Sequence, residues 1–126
     1  MTCSCKPSSS ALELALCLAP PCGEYEVSLE GHAGTQIILC EDGVFIRSVA
    51  RDEWLPFLET RDRPASRQAL LSALKLNNLD EQGLLCLVLR SLRLAANSGS
   101  LKAAKKLRDC RELIRRLEEA CRGKKE

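Results

Sequence analysis

The spacing of apolar residues changes period twice along the chain, and each change marks a different kind of element. In residues 101–122, apolar or small side chains fall at Ala103, Leu107, Cys110, Ile114, Leu117 and Cys121, in alternating steps of four and three. This is a heptad seam, and neither Gly nor Pro interrupts it, so the spacing predicts one continuous amphipathic helix of coiled-coil character. Residues 80–96 hold Leu84, Leu85, Cys86, Leu87, Val88, Leu89, Leu92 and Leu94, leaving few polar positions. A helix that is apolar nearly all round is a central, buried one, and Asp80 supplies its N-cap.

Between residues 24 and 50 the period is two. Tyr25, Val27 and Leu29 alternate with polar residues, residues 31–34 turn the chain, and residues 36–40 are β-branched and apolar. Asp42-Gly43 is a hairpin signal, after which residues 44–49 return as a third strand. A two-residue loop at Asp42-Gly43 places Leu39 opposite Ile46 and Cys40 opposite Phe45. Apolar groups then lie on both faces of a three-stranded antiparallel meander, so helices must cover at least one face. Ser10 and Glu13 have capping-box spacing and open a short helix that Pro20 and Pro21 stop. Trp54 and Pro56 suggest a short helical turn, and Asp62 and Pro64 punctuate a further helix ending at Asn77-Asn78.

The fold class is therefore α+β: a small meander followed by a helical bundle ending in a basic amphipathic helix. Residues 1–22 read as a cysteine-bearing leader, residues 23–122 as one compact domain and residues 123–126 as a charged tail. At 126 residues, one core is affordable and two would be marginal. With only 3% aromatic residues, the core must be built from aliphatic side chains and Cys, and flat platforms for stacking bases or sugars are scarce.

Charge divides the chain. Residues 1–60 hold three cations against nine acids, so the remainder must carry +8 to give the overall +2. Arg108, Arg111, Arg115, Arg116 and Arg122 line the final helix, and a stripe of this kind can follow duplex phosphates. Glu112 and Glu118 stand four residues before Arg116 and Arg122, a spacing that pairs them within the helix.

The eight cysteines are even in number, yet several occupy apolar positions of strands and helices, which suits free thiols in an intracellular, cytoplasmic protein. Glu13 interrupts the short apolar run of residues 11–19, arguing against a secretory signal, and no run is long enough to span a bilayer. Cys3, Cys5, Cys17 and Cys22 are a candidate set of four thiolates for zinc, the only cofactor the sequence suggests. His32, the single histidine, lies in a Gly-flanked turn and could meet a thiol such as Cys40, but no motif activates either as a nucleophile.

These features point to a non-enzymatic interaction protein that forms homo-oligomers, a dimer foremost, through Leu107, Cys110, Ile114, Leu117 and Cys121. The alternative is a duplex-RNA-binding accessory protein using the arginine stripe. A cysteine-bearing leader before a basic heptad helix resembles the arrangement of several small viral accessory proteins, RNA-silencing suppressors among them. That likeness of architecture assigns no residue a role.

Overall fold

Alternation between Val27 and Glu30 produces strand β1, in which Val27 and Leu29 are buried and Ser28 and Glu30 face outward. In the computed structural model, which describes residues 3–50 and 59–123, β1 pairs antiparallel with β2 (Gln36–Cys40), and β2 with β3 (Gly43–Ala50). A 3-10 turn at His32–Gly34 joins the first two strands. A fourth strand, β4 (Glu59–Pro64), continues the sheet in the order β1-β2-β3-β4. The three-stranded expectation is thus corrected to four, and residues 59–64 form a strand instead of leading into a helix.

The physical reason lies in the composition of β4. Its residues are charged or polar apart from Pro64, so it has no apolar alternation to betray it, as is common for an edge strand protected from pairing with other chains. Asp62 is opposite Arg47 of β3 and accepts hydrogen bonds from its Nε and Nη2 at 2.8 and 2.9 Å. Arg47 also forms an ion pair with Glu26, so its guanidinium ties β4 to the residue preceding β1. The hydrogen bonds from Arg47 hold the Asp62 carboxyl below the ordinary carboxylate range.

The β2–β3 hairpin also differs in detail from expectation. Cys40 pairs with Gly43, Leu39 with Val44 and Ile37 with Ile46, so the two loop residues are Glu41 and Asp42. Positive φ falls on Gly43, at 127°, and not on Asp42. The register is displaced by two residues, which keeps every side chain on its expected face because the strand period is two.

One sheet face joins Val27, Leu29, Ile37 and Leu39 to the helical core, while Ile38 and Cys40 are buried outside that cluster. Five helices complete the molecule among the described residues: α1 (Ala11–Cys17), α2 (Arg67–Leu76), α3 (Glu81–Asn97), α4 (Leu101–Asp109) and α5 (Arg111–Gly123). Ser10, Ser66, Asp80 and Ser100 each accept a backbone N–H at the third helical residue, capping α1 to α4. Helix α3 is central, touching α1, α4, α5 and β1, with Leu84, Leu85, Val88, Leu89, Leu92 and Ala95 buried. Helix α1 buries Leu12, Leu14 and Ala15 against it, so this part of the leader belongs to the core.

The free edge of β1 is occupied by a side chain. Asn77, just beyond α2, accepts the Glu30 N–H at 3.3 Å and donates to the Glu30 carbonyl at 2.9 Å. Its amide thus imitates a neighbouring strand and fixes α2 to the sheet. The turn expected around Trp54 and Pro56 lies outside the described residues. Among the described residues, no helix is long and apolar enough to cross a membrane.

Candidate functional site

The heptad segment is two helices and not one. Cys110 ends α4 with φ −109° and ψ 24°, although its N–H still reaches the Lys106 carbonyl at 3.0 Å and its own carbonyl accepts from Ile114 at 2.9 Å. Cys110 is covalently bonded to Cys3, a constraint 107 residues distant that local propensity cannot reveal. The unbroken helix of residues 101–122 is corrected accordingly, and its two halves do not by themselves show a coiled coil.

The seam faces the chain's own core. Ala103, Cys110 and Ile114 are fully buried, while Leu107, Leu117 and Cys121 are half-buried against the same cluster. These residues therefore already have an intramolecular partner, chiefly α3. Apolar surface exposed to solvent lies outside the seam, on α2, α3 and α4. Among the described residues the large exposed apolar side chains are Leu76, Leu94 and Leu101, at 44%, 51% and 85%.

Leu94 lines a cleft of about 570 Å³ between α3 and α5, together with Leu79, Leu87, Cys121, Arg90 and Arg122. Arg93 of α3 crosses to α5, donating from Nε and Nη2 to the two Glu118 carboxylate oxygens at 2.9 and 2.7 Å. This bidentate pair and the Cys86–Cys121 disulfide both join the two helices at the cleft. The hydrogen bond from Arg93 lowers the Glu118 pKa, and the same bond raises that of Arg93.

The five arginines singled out from the sequence are all exposed. Arg115 is tied to Glu112 at 3.2 Å and Glu119 at 3.0 Å. The anticipated pairs from Glu112 to Arg116 and from Glu118 to Arg122 are not the close contacts: Glu112 turns to Arg115, and Glu118 is held by Arg93, with the nearby charge of Arg122 adding to its lowered pKa. Arg108, Arg111 and Arg116 make no ion pair among the described residues. Residues 101–123 hold eight cations against four acids, leaving a basic outer face.

All eight cysteines are joined, as Cys3–Cys110, Cys5–Cys17, Cys22–Cys40 and Cys86–Cys121, correcting the free-thiol expectation. The half-buried positions that suit a small hydrophobe equally suit a buried cross-link, so burial pattern alone could not separate the two. Cys22 joins Cys40 on the sheet, and the four-sulfur set of Cys3, Cys5, Cys17 and Cys22 is not assembled. The bond to Cys22 also removes Cys40 as a thiol partner for His32. The sulfurs of Cys3, Cys5 and Cys110 instead gather within 4.8 Å of one another.

Beside them, Lys106 donates to the carbonyls of Cys17 and Ala19 at 3.3 and 3.2 Å, satisfying acceptors where α1 ends. Burial lowers its pKa.

Sequence reasoning missed the cleft between α3 and α5. Its one signal was Leu94 and Leu87 sharing a face of a helix whose other faces were already apolar enough to be buried. No protein-family model, curated protein or solved structure matches this chain, so its functional reading rests on its own residues.

Proposed function

We propose that the protein is a non-enzymatic interaction module that forms a homodimer through the outer faces of α3 and α5. The observation that carries this reading is Leu94, half exposed at the mouth of an apolar cleft whose opposite wall is α5. An exposed leucine beside an apolar cleft is where a second surface gains most from excluding water.

The occupant is a second copy because α5 is complementary to itself. Residues 111–116 of α5 carry three arginines and Glu112, and residues 117–123 carry Glu118, Glu119 and Arg122, so a twofold axis across α5 sets a net positive half against a net negative one, with Arg115, Glu118 and Glu119 already paired within the chain. The heptad residues Leu107, Cys110, Ile114, Leu117 and Cys121 then support the interface from beneath. Sedimentation equilibrium tests this: a wild-type dimer should become monomeric in Leu94→Arg with its helical circular dichroism unchanged. A monomeric wild type at all concentrations would refute it.

One observation favours a second reading, the binding of duplex RNA. Arg108, Arg111 and Arg116 are exposed and lack acidic partners among the described residues, leaving them available for phosphates. Reversing all three to Glu should abolish binding to duplex RNA of any sequence, with affinity falling steeply as salt rises. An absence of binding by the wild type at low salt would eliminate this reading.

A further inference from the structure

Two disulfides meet at one corner of the molecule, and this is the one place among the described residues where more than two cysteine sulfurs converge. The Sγ atoms of Cys3, Cys5 and Cys110 all lie within 4.8 Å of one another, and Cys17 borders this group of three through its bond to Cys5. A tetrahedral zinc with Zn–S bonds of about 2.3 Å needs its sulfurs about 3.8 Å apart. Cys3, Cys5 and Cys110 can reach that spacing only once the Cys3–Cys110 and Cys5–Cys17 bonds are opened.

We infer that Cys3, Cys5, Cys17 and Cys110 form a tetrathiolate zinc site when reduced, giving this corner two alternative covalent states: a pair of disulfides or one zinc ion. This inference is independent of the dimer reading. It replaces Cys22 of the sequence-based set with Cys110, a ligand that only the fold brings near.

The surroundings suit such a site. Cys5 and Cys110 are 5% and 4% exposed, so water has little access to their sulfurs. Cys110 also directly precedes α5, and its carbonyl receives the Ile114 N–H of that helix's first turn. Four thiolates and one zinc leave a net charge of −2, and Lys102, Lys105 and Lys106 line the hollow beside Cys110. Lys102 and Lys105 are engaged with Glu41 and Asp109, whereas Lys106 contacts only backbone carbonyls among the described residues. Lys106 also feels the charge of Glu41, which lines the same hollow together with Asp109.

The interconversion balances with a dithiol as reductant. Two equivalents deliver four electrons and four protons to the Cys3–Cys110 and Cys5–Cys17 bonds, and each leaves as its own cyclic disulfide. Zinc then forms four Zn–S bonds and releases the four thiol protons to solvent.

The test uses the full chain, reduced with excess dithiol, desalted without oxygen and titrated with cobalt(II) and then zinc(II). One cobalt per chain should give the absorption of a tetrahedral tetrathiolate, and zinc should displace it. Zinc should protect Cys3, Cys5, Cys17 and Cys110 from alkylation, read by peptide mapping, while the other four cysteines react. Cys3→Ser/Cys5→Ser should lose the metal, whereas Cys86→Ser/Cys121→Ser should keep it. If a variant does not fold, the wild-type protection map decides alone. The inference is overturned if reduced wild type takes up no stoichiometric metal, or if zinc protects a different set of cysteines.

Discussion

Arg93 and Glu118 form a bidentate ion pair across α3 and α5, beside the Cys86–Cys121 disulfide that joins the same two helices at the cleft on which the functional reading depends. Arg93 is about half exposed, so solvent limits the contribution of the pair to stability to roughly 1 kcal/mol or less. The Glu118 carboxyl titrates below its unfolded value. Its stabilisation is therefore complete above the unfolded pKa and disappears as pH falls through the lower folded one. Urea melts of wild type and Glu118→Gln should differ modestly at neutral pH and converge in strong acid. A difference that grows on acidification would contradict this assignment.

Asn77 presents a sharper case, because one amide satisfies both backbone groups of Glu30 and also the Ala73 carbonyl at 2.6 Å. Asn77→Ala leaves those groups to water at the sheet edge and should cost about 1–2 kcal/mol in denaturant melts. Asn77→Asp keeps an acceptor for the Glu30 N–H but places a carboxylate against two carbonyls. It should recover little of the loss.

The disulfides make an ordered prediction. Cys3–Cys110 spans 107 residues and Cys5–Cys17 spans 12. On the chain-entropy model the longer link contributes about 4–5 kcal/mol and the shorter about 3 kcal/mol. Cys3→Ala/Cys110→Ala should therefore lower Tm further than Cys5→Ala/Cys17→Ala in metal-free oxidised protein. Equal shifts would mean that the longer link does not act by restraining the unfolded chain.

What could be read in the sequence was local. Asp80 and Ser10 announced their helices because capping chemistry is confined to a few adjacent residues. The hairpin at Asp42-Gly43 was legible too, although its register depended on which residue takes positive φ, and Gly43 takes it. Strand β4 was illegible because an edge strand held by the Arg47–Asp62 pair needs no apolar alternation. The break at Cys110 was hidden for a different reason: it coincides with a bond to Cys3, and no spacing rule reports a partner so far away. The candidate interface was obscured by its neighbour, since the same heptad pattern describes a seam turned inward and a seam turned outward.

The most direct test of the central claim, that two copies meet at the α3–α5 face, is an isotope-filtered NOE experiment on a mixture of labelled and unlabelled chains. Intermolecular contacts are expected from the methyl groups of Leu94 and Leu87, and they should vanish in Leu94→Arg. Intermolecular contacts confined to other surfaces, or none at concentrations where the mass is dimeric, would contradict it.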